Sequence, residues 1–171
     1  MNTLDLRRRV RYLLSFFVVG LVISGLTAFP LVWEITILHR LMGTGTAVEC
    51  WWPGMSQWIS TVYQGLVEAD ARHPFLFYGT DWLAFGHLVI AIAFWGPLRD
   101  PVRNLWVIEF GMIACALVIP MALVFGPLRG IPVFWRLIDC SFGVFGFLPL
   151  WLARTYVRRL LELEHHPTAA A

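Results

Sequence analysis

Four stretches of this chain are each long and apolar enough to cross a lipid bilayer: residues 12–38, 76–97, 105–126 and 132–153. A helix needs about 20 mostly apolar residues to cross roughly 30 Å of hydrocarbon. The expected fold class follows: an all-α integral membrane protein, built as a four-transmembrane-helix up-down bundle in a single domain over 1–164. The chain has 171 residues, of which 58% are apolar. An ordinary soluble domain carries about 45–50%. Little of the chain is left for soluble mass.

The charges orient the spans. All 13 basic residues are Arg. Arg7, Arg8, Arg9 and Arg11 open the first stretch, Arg99 and Arg103 lie between the second and third, and Arg154, Arg158 and Arg159 follow the fourth. The opposite loops hold only Arg40, Arg72 and Arg129. Arginine collects on the cytoplasmic side, so both termini are expected inside, in a multi-pass cell (inner) membrane protein. The basic N-terminus then reads as a topology signal and an anionic-lipid contact, with no role for nucleic acid. The first apolar run outlasts a usual signal-peptide core and no A-x-A pattern follows it, so it reads as a span.

Short connections at 98–104 and 127–131 make the last three spans antiparallel neighbours. The tetrapeptide Gly-Pro-Leu-Arg occurs at 96–99 and again at 126–129, and reads as a helix stop in both places. The one long connection, in the outer loop between helices 1 and 2, contains Met55, Trp58, Ile59, Val62, Tyr63, Leu66 and Val67 at helical spacing. An amphipathic interfacial helix is expected over about 55–69, lying along the outer interface or capping the bundle. Past Ala153 a short charged helix, 154–164, and a frayed tail, 165–171, are expected. Cys50 falls in the outer loop, while Cys115 and Cys140 read as small buried hydrophobes.

Each apolar stretch also carries one acid: Glu34, Asp81, Glu109 and Asp139. At mid-membrane an acid costs about 2.5–3.5 kcal/mol, so such residues mark function by default. At about 1.5 Å of rise per residue, Glu34 lies about 6 Å, Asp81 about 7–8 Å and Asp139 about 10 Å in from the outer ends of their stretches. Arg136 precedes Asp139 by three residues and shares its helix face. His87 lies deeper, about 16 Å in. Glu34, Asp81, His87, Arg136 and Asp139 thus form a candidate polar site in the outer half, beside Pro30 and Pro120. Glu109 stands apart toward the inner end, with Arg103 as its candidate partner. Three acids against one Arg are unbalanced in low dielectric, so one carboxyl is expected to be protonated or met by a cation. Each residue also has a plain structural role open to it: an Arg136–Asp139 ion pair, Glu34 and Asp81 anchoring helix ends, His87 bonded to a carbonyl.

Two function classes follow. One is a membrane protein that holds a small amphipathic or lipid-like ligand, or passes protons, at the outer site. The other is a non-catalytic subunit or assembly factor, with a membrane-protein partner or a homo-oligomer. A b-type haem needs two axial ligands at matched depth, and His39 and His73 are about 10 Å shallower than His87. No cofactor is expected. His165–His166 has no further ligand at suitable spacing, so no metal is expected either. No nucleophile elbow or Gly-rich phosphate loop is present, and the catalytic residues, if the chain is an enzyme, are not specified.

Overall fold

The computed structural model describes residues 2–165; of Glu164 and His165 it describes the backbone alone. The tail 166–171, with His166, lies outside the described residues. Every regular element described is helical: α1 (Thr3–Ala28), α2 (Leu31–Met42), α3 (Ala47–Trp51), α4 (Pro53–Arg72), a 3-10 turn (Pro74–Phe77), α5 (Tyr78–Ala93), α6 (Trp95–Arg99), α7 (Leu105–Leu128) and α8 (Val133–His165). Four helical stretches are long and apolar enough to cross a membrane: Thr3–Ala28, Pro74–Arg99, Leu105–Leu128 and Val133–Leu163.

Two of these differ from expectation. The first apolar stretch is not one helix. Pro30 lacks an N–H and its ring crowds the preceding turn, which ends a helix rather than bending it here. The backbone at Pro30 turns to φ −86°, ψ 46°, and α2 restarts with the Glu34 N–H donating to the Pro30 carbonyl at 2.9 Å. The helix long and apolar enough to span is therefore Thr3–Ala28, and Arg7 to Arg11 sit in its opening turns. At the far end of the chain, the charged segment 154–164 continues α8 without a break, and the stretch able to span runs to Leu163 rather than ending at 153. The two Gly-Pro steps do not stop their helices at once either. Pro97 lies within α6 and Pro127 within α7, whose ends follow at Arg99 and Leu128.

The chain divides into two compact units, Met1–Gly20 with Ile90–Ala171, and Leu21–Val89. The first has a core of Val10 and Leu14 from α1, Phe94 just before α6, Val107 and Ile108 from α7, and Leu150, Ala153 and Val157 from α8. The Phe17 ring meets Phe94 at 4.8 Å. Glu109 reaches Arg154, Leu150 abuts Gly111, Cys115 meets Gly143, and Arg136 lies on Gly126. These pairings climb α7 as they descend α8, so the two helices run antiparallel.

In the second unit α2 and α3 both pack on α4. The buried residues of α4 are Met55, Ser56, Ile59 and Ser60. Neither serine belongs to the apolar stripe of Met55 to Val67, so a simple amphipathic helix would turn both to its polar face. Their small side chains admit a close neighbour. Ser60 also has work to do there: its hydroxyl accepts the Thr44 N–H at 2.9 Å and donates to the Ser56 carbonyl at 3.0 Å. His39 stacks on Tyr63 at 4.3 Å, tying α2 to α4.

Candidate functional site

The candidate residues fall into both units. In the second unit, Glu34 is exposed in the first turn of α2. It is outside the spanning helices, because Pro30 ended the span before it. A carboxylate there meets the positive end of the helix dipole, a favourable place for an anion. Asp81 takes the same position in the first turn of α5 and is half-buried. Both are suited to anchoring helix ends.

His87, further along α5, is held from two sides. Its Nδ1, protonated, donates to the Leu83 carbonyl at 2.8 Å. Beneath it α1 approaches so closely that a Cβ on Gly25 would stand 3.0 Å from His87 Cβ and 3.1 Å from the Ala84 carbonyl oxygen. Only glycine fits that crossing without displacing α5. With Nδ1 bonded to the carbonyl, Nε2 is the ring nitrogen left for another partner. Among the described residues no hydrogen bond or ion pair joins Glu34, Asp81 and His87 to one another.

In the first unit, Arg136 and Asp139 lie in the opening turns of α8, opposite the end of α7. The Arg136 stem lies across Gly126; a Cβ there would collide with Cδ and stand 2.7 Å from Cγ. Glycine at 126 is thus what lets the arginine fold inward. The consequence is chemical. Arg136 Nε is buried and has no hydrogen-bond partner among the described residues. Asp139 is half-buried one turn on, yet no ion pair forms between the two. The structural ion pair that their spacing suggested is absent, because the guanidinium is drawn toward α7 instead. A buried donor left without an acceptor costs about 1–3 kcal/mol, more when charged. An acceptor brought in from outside removes that cost.

The opposite end of the same helix pair is closed. Arg154 Nε donates to Glu109 Oε1 at 2.7 Å, and Arg158 Nη2 lies 3.6 Å from the same oxygen. Arg103, the partner expected from sequence, is exposed, and its backbone N–H donates to Asp100 Oδ1 at 3.2 Å. It belongs to the turn before α7 and shares that turn's geometry. Arg154 and Arg158 come from α8 because the antiparallel pairing brings its last turns beside the first turns of α7. Sequence reading treated both arginines as topology signals only. Their i, i+4 spacing on one face, at nearly the same sequence distance from the α7–α8 turn as Glu109, was the signal available.

Among the described residues no three His, Cys, Asp or Glu side chains gather into a metal-binding group. Cys50 is exposed, while Cys115 and Cys140 are half-buried and unpaired by disulfide. The chain matches no known family model, no characterised protein and no solved structure.

Proposed function

We propose that this chain is a multi-pass membrane protein, an up-down bundle of four spans with both termini cytoplasmic, that binds a small amphipathic or lipid-like ligand near the outer end of α7 and α8. One observation carries the reading: the buried, unpartnered Nε of Arg136. The ligand's polar head supplies the missing acceptor, a carboxylate, phosphate or carbonyl oxygen. Asp139, one turn further along the helix, offers an acceptor of its own to a hydroxyl or amine on the same head, or exchanges a proton with it. Asp81 and His87 on α5, with Glu34 on α2, are the proton-exchanging candidates of the second unit. In this arrangement α4 lies at the outer interface.

The test is native mass spectrometry of protein purified in mild detergent. A small molecule should stay bound to the wild type and be lost from Arg136→Gln, with both proteins inserted equally well. A wild type that carries no small molecule, or a variant that keeps it, overturns the proposal.

A second reading, a non-catalytic subunit or assembly factor, has its own support. Trp51 is 90% exposed in the loop between the first two spans. Exposed tryptophans are frequent anchors of protein interfaces. Co-purification of a protein partner that Trp51→Ala releases favours this reading over the first.

A further inference from the structure

The opening turns of α1 divide into two faces. Leu6, Val10 and Leu14 are buried, a row at i, i+4, i+8 that faces the core. Away from it lies a groove of about 480 Å³, lined by Leu4, Arg7, Arg8, Arg11, Tyr12 and Ser15. Its charge is organised. The Tyr12 hydroxyl accepts from Arg8 Nε at 3.3 Å and from Nη2 at 3.1 Å, and the Arg8 guanidinium stands 5.5 Å above the Tyr12 ring. Tyr12 therefore tethers the guanidinium through two of its nitrogens and leaves it further N–H donors for another acceptor. Arg11 adds a second cation.

The groove continues into grease. Leu4, Arg8 and Tyr12 lie on one row of the helix, and the same row runs on through Phe16 and Val19, which are 69% and 56% exposed. A ligand matched to this row has an anionic head and an apolar tail that points along the span. Guanidinium groups recognise phosphate oxygens through paired N–H donors. We infer that this groove is a binding site for the phosphate headgroup of an anionic phospholipid, with its acyl chain laid against Phe16 and Val19. The inference rests on the proposal that α1 crosses the bilayer with its arginines at the cytoplasmic surface, and is independent of the ligand proposed at Arg136.

The test uses the full chain in membranes of equimolar phosphatidylglycerol and phosphatidylcholine, extracted in mild detergent and examined by native mass spectrometry. The wild type should retain the anionic lipid in several-fold excess. Each arginine near an anionic surface is worth about fivefold in affinity. Arg8→Gln with Arg11→Gln should therefore bring the two lipids to near parity, while Arg7 and Arg9 preserve the topology signal. Arg99→Gln with Arg103→Gln removes the same charge outside the groove and should leave the excess unchanged. Tyr12→Phe should reduce the excess in part, since Arg8 then loses its tether. Parity in the wild type, or an equal effect of the two double variants, overturns a defined site. Displacement of the lipid by millimolar inorganic phosphate shows a free-phosphate site and overturns the lipid assignment. Recovery of the chain in the soluble fraction signals that the membrane reading itself has failed.

Discussion

The two ends of the α7–α8 pair are built from the same materials and finished differently. At one end an acid meets two arginines: Glu109 accepts from Arg154 at 2.7 Å, with Arg158 close behind. At the other an arginine and an acid sit one turn apart and ignore each other, the arginine with a buried donor and no acceptor. The first end is complete within the protein. The second leaves one buried donor without an acceptor among the described residues. In a low-dielectric setting an unmet charge is costly. That is why the open end carries the functional proposal and the closed end reads as a latch between two helices.

The comparison can be broken most directly at Glu109. Glu109→Gln leaves two cations facing a neutral amide. Removing one partner of a buried pair costs about 3–5 kcal/mol, and a pair this exposed should lose less, about 2–3 kcal/mol. Thermal unfolding in detergent measures it. A loss below about 0.5 kcal/mol would mean that the latch contributes no more than an ordinary surface pair.

At the open end the sign should reverse. Arg136→Met keeps much of the stem and removes the unpartnered N–H. The ligand-free protein should gain about 1 kcal/mol, since an unmet buried donor no longer has to be accommodated. Retention of the small molecule should disappear in the same variant. A stability loss comparable to that of Glu109→Gln would show that Arg136 is as structural as the latch, and the contrast between the ends would collapse.

Smaller effects sharpen the picture. Arg158 is 55% exposed and 3.6 Å from the carboxylate, against 26% and 2.7 Å for Arg154. Arg158→Gln should cost about 0.2–1 kcal/mol and fade in high salt, as exposed pairs do. Asp139→Asn should change stability by less than about 0.5 kcal/mol, because no protein partner is lost. Its effect belongs in ligand retention or proton exchange. A large stability change in this variant would reveal a partner for Asp139 and close the end that is read as open.

Much of the architecture was legible because hydrophobic length is a one-dimensional property. The third stretch able to span was expected over 105–126 and is the helix Leu105–Leu128. The second was expected over 76–97 and is Pro74–Arg99. The first was misjudged at Pro30, where apolar residues on both sides hid the break; hydropathy cannot distinguish a kink from a stop. That single turn moved Glu34 out of the span. The face of α4 was misjudged for a related reason. Polarity said that Ser56 and Ser60 should face away from the apolar stripe, but their small size took them inside, where the Ser60 hydroxyl alone bonds to the backbone.

The partners of charged residues were the least legible. Arg103 was chosen for Glu109 by nearness in sequence, and Arg154 was beyond the reach of that reasoning. Arg136 and Asp139 were matched by helix periodicity, and the open surface of Gly126 diverted the arginine. By itself the sequence determined the helical class and the number of stretches able to span a bilayer, since these depend on composition and on a fixed rise per residue. Only the tertiary structure decided which charges meet. An ion pair depends on the register between helices, and that register is set by close packing at small residues, which no property of a single helix contains.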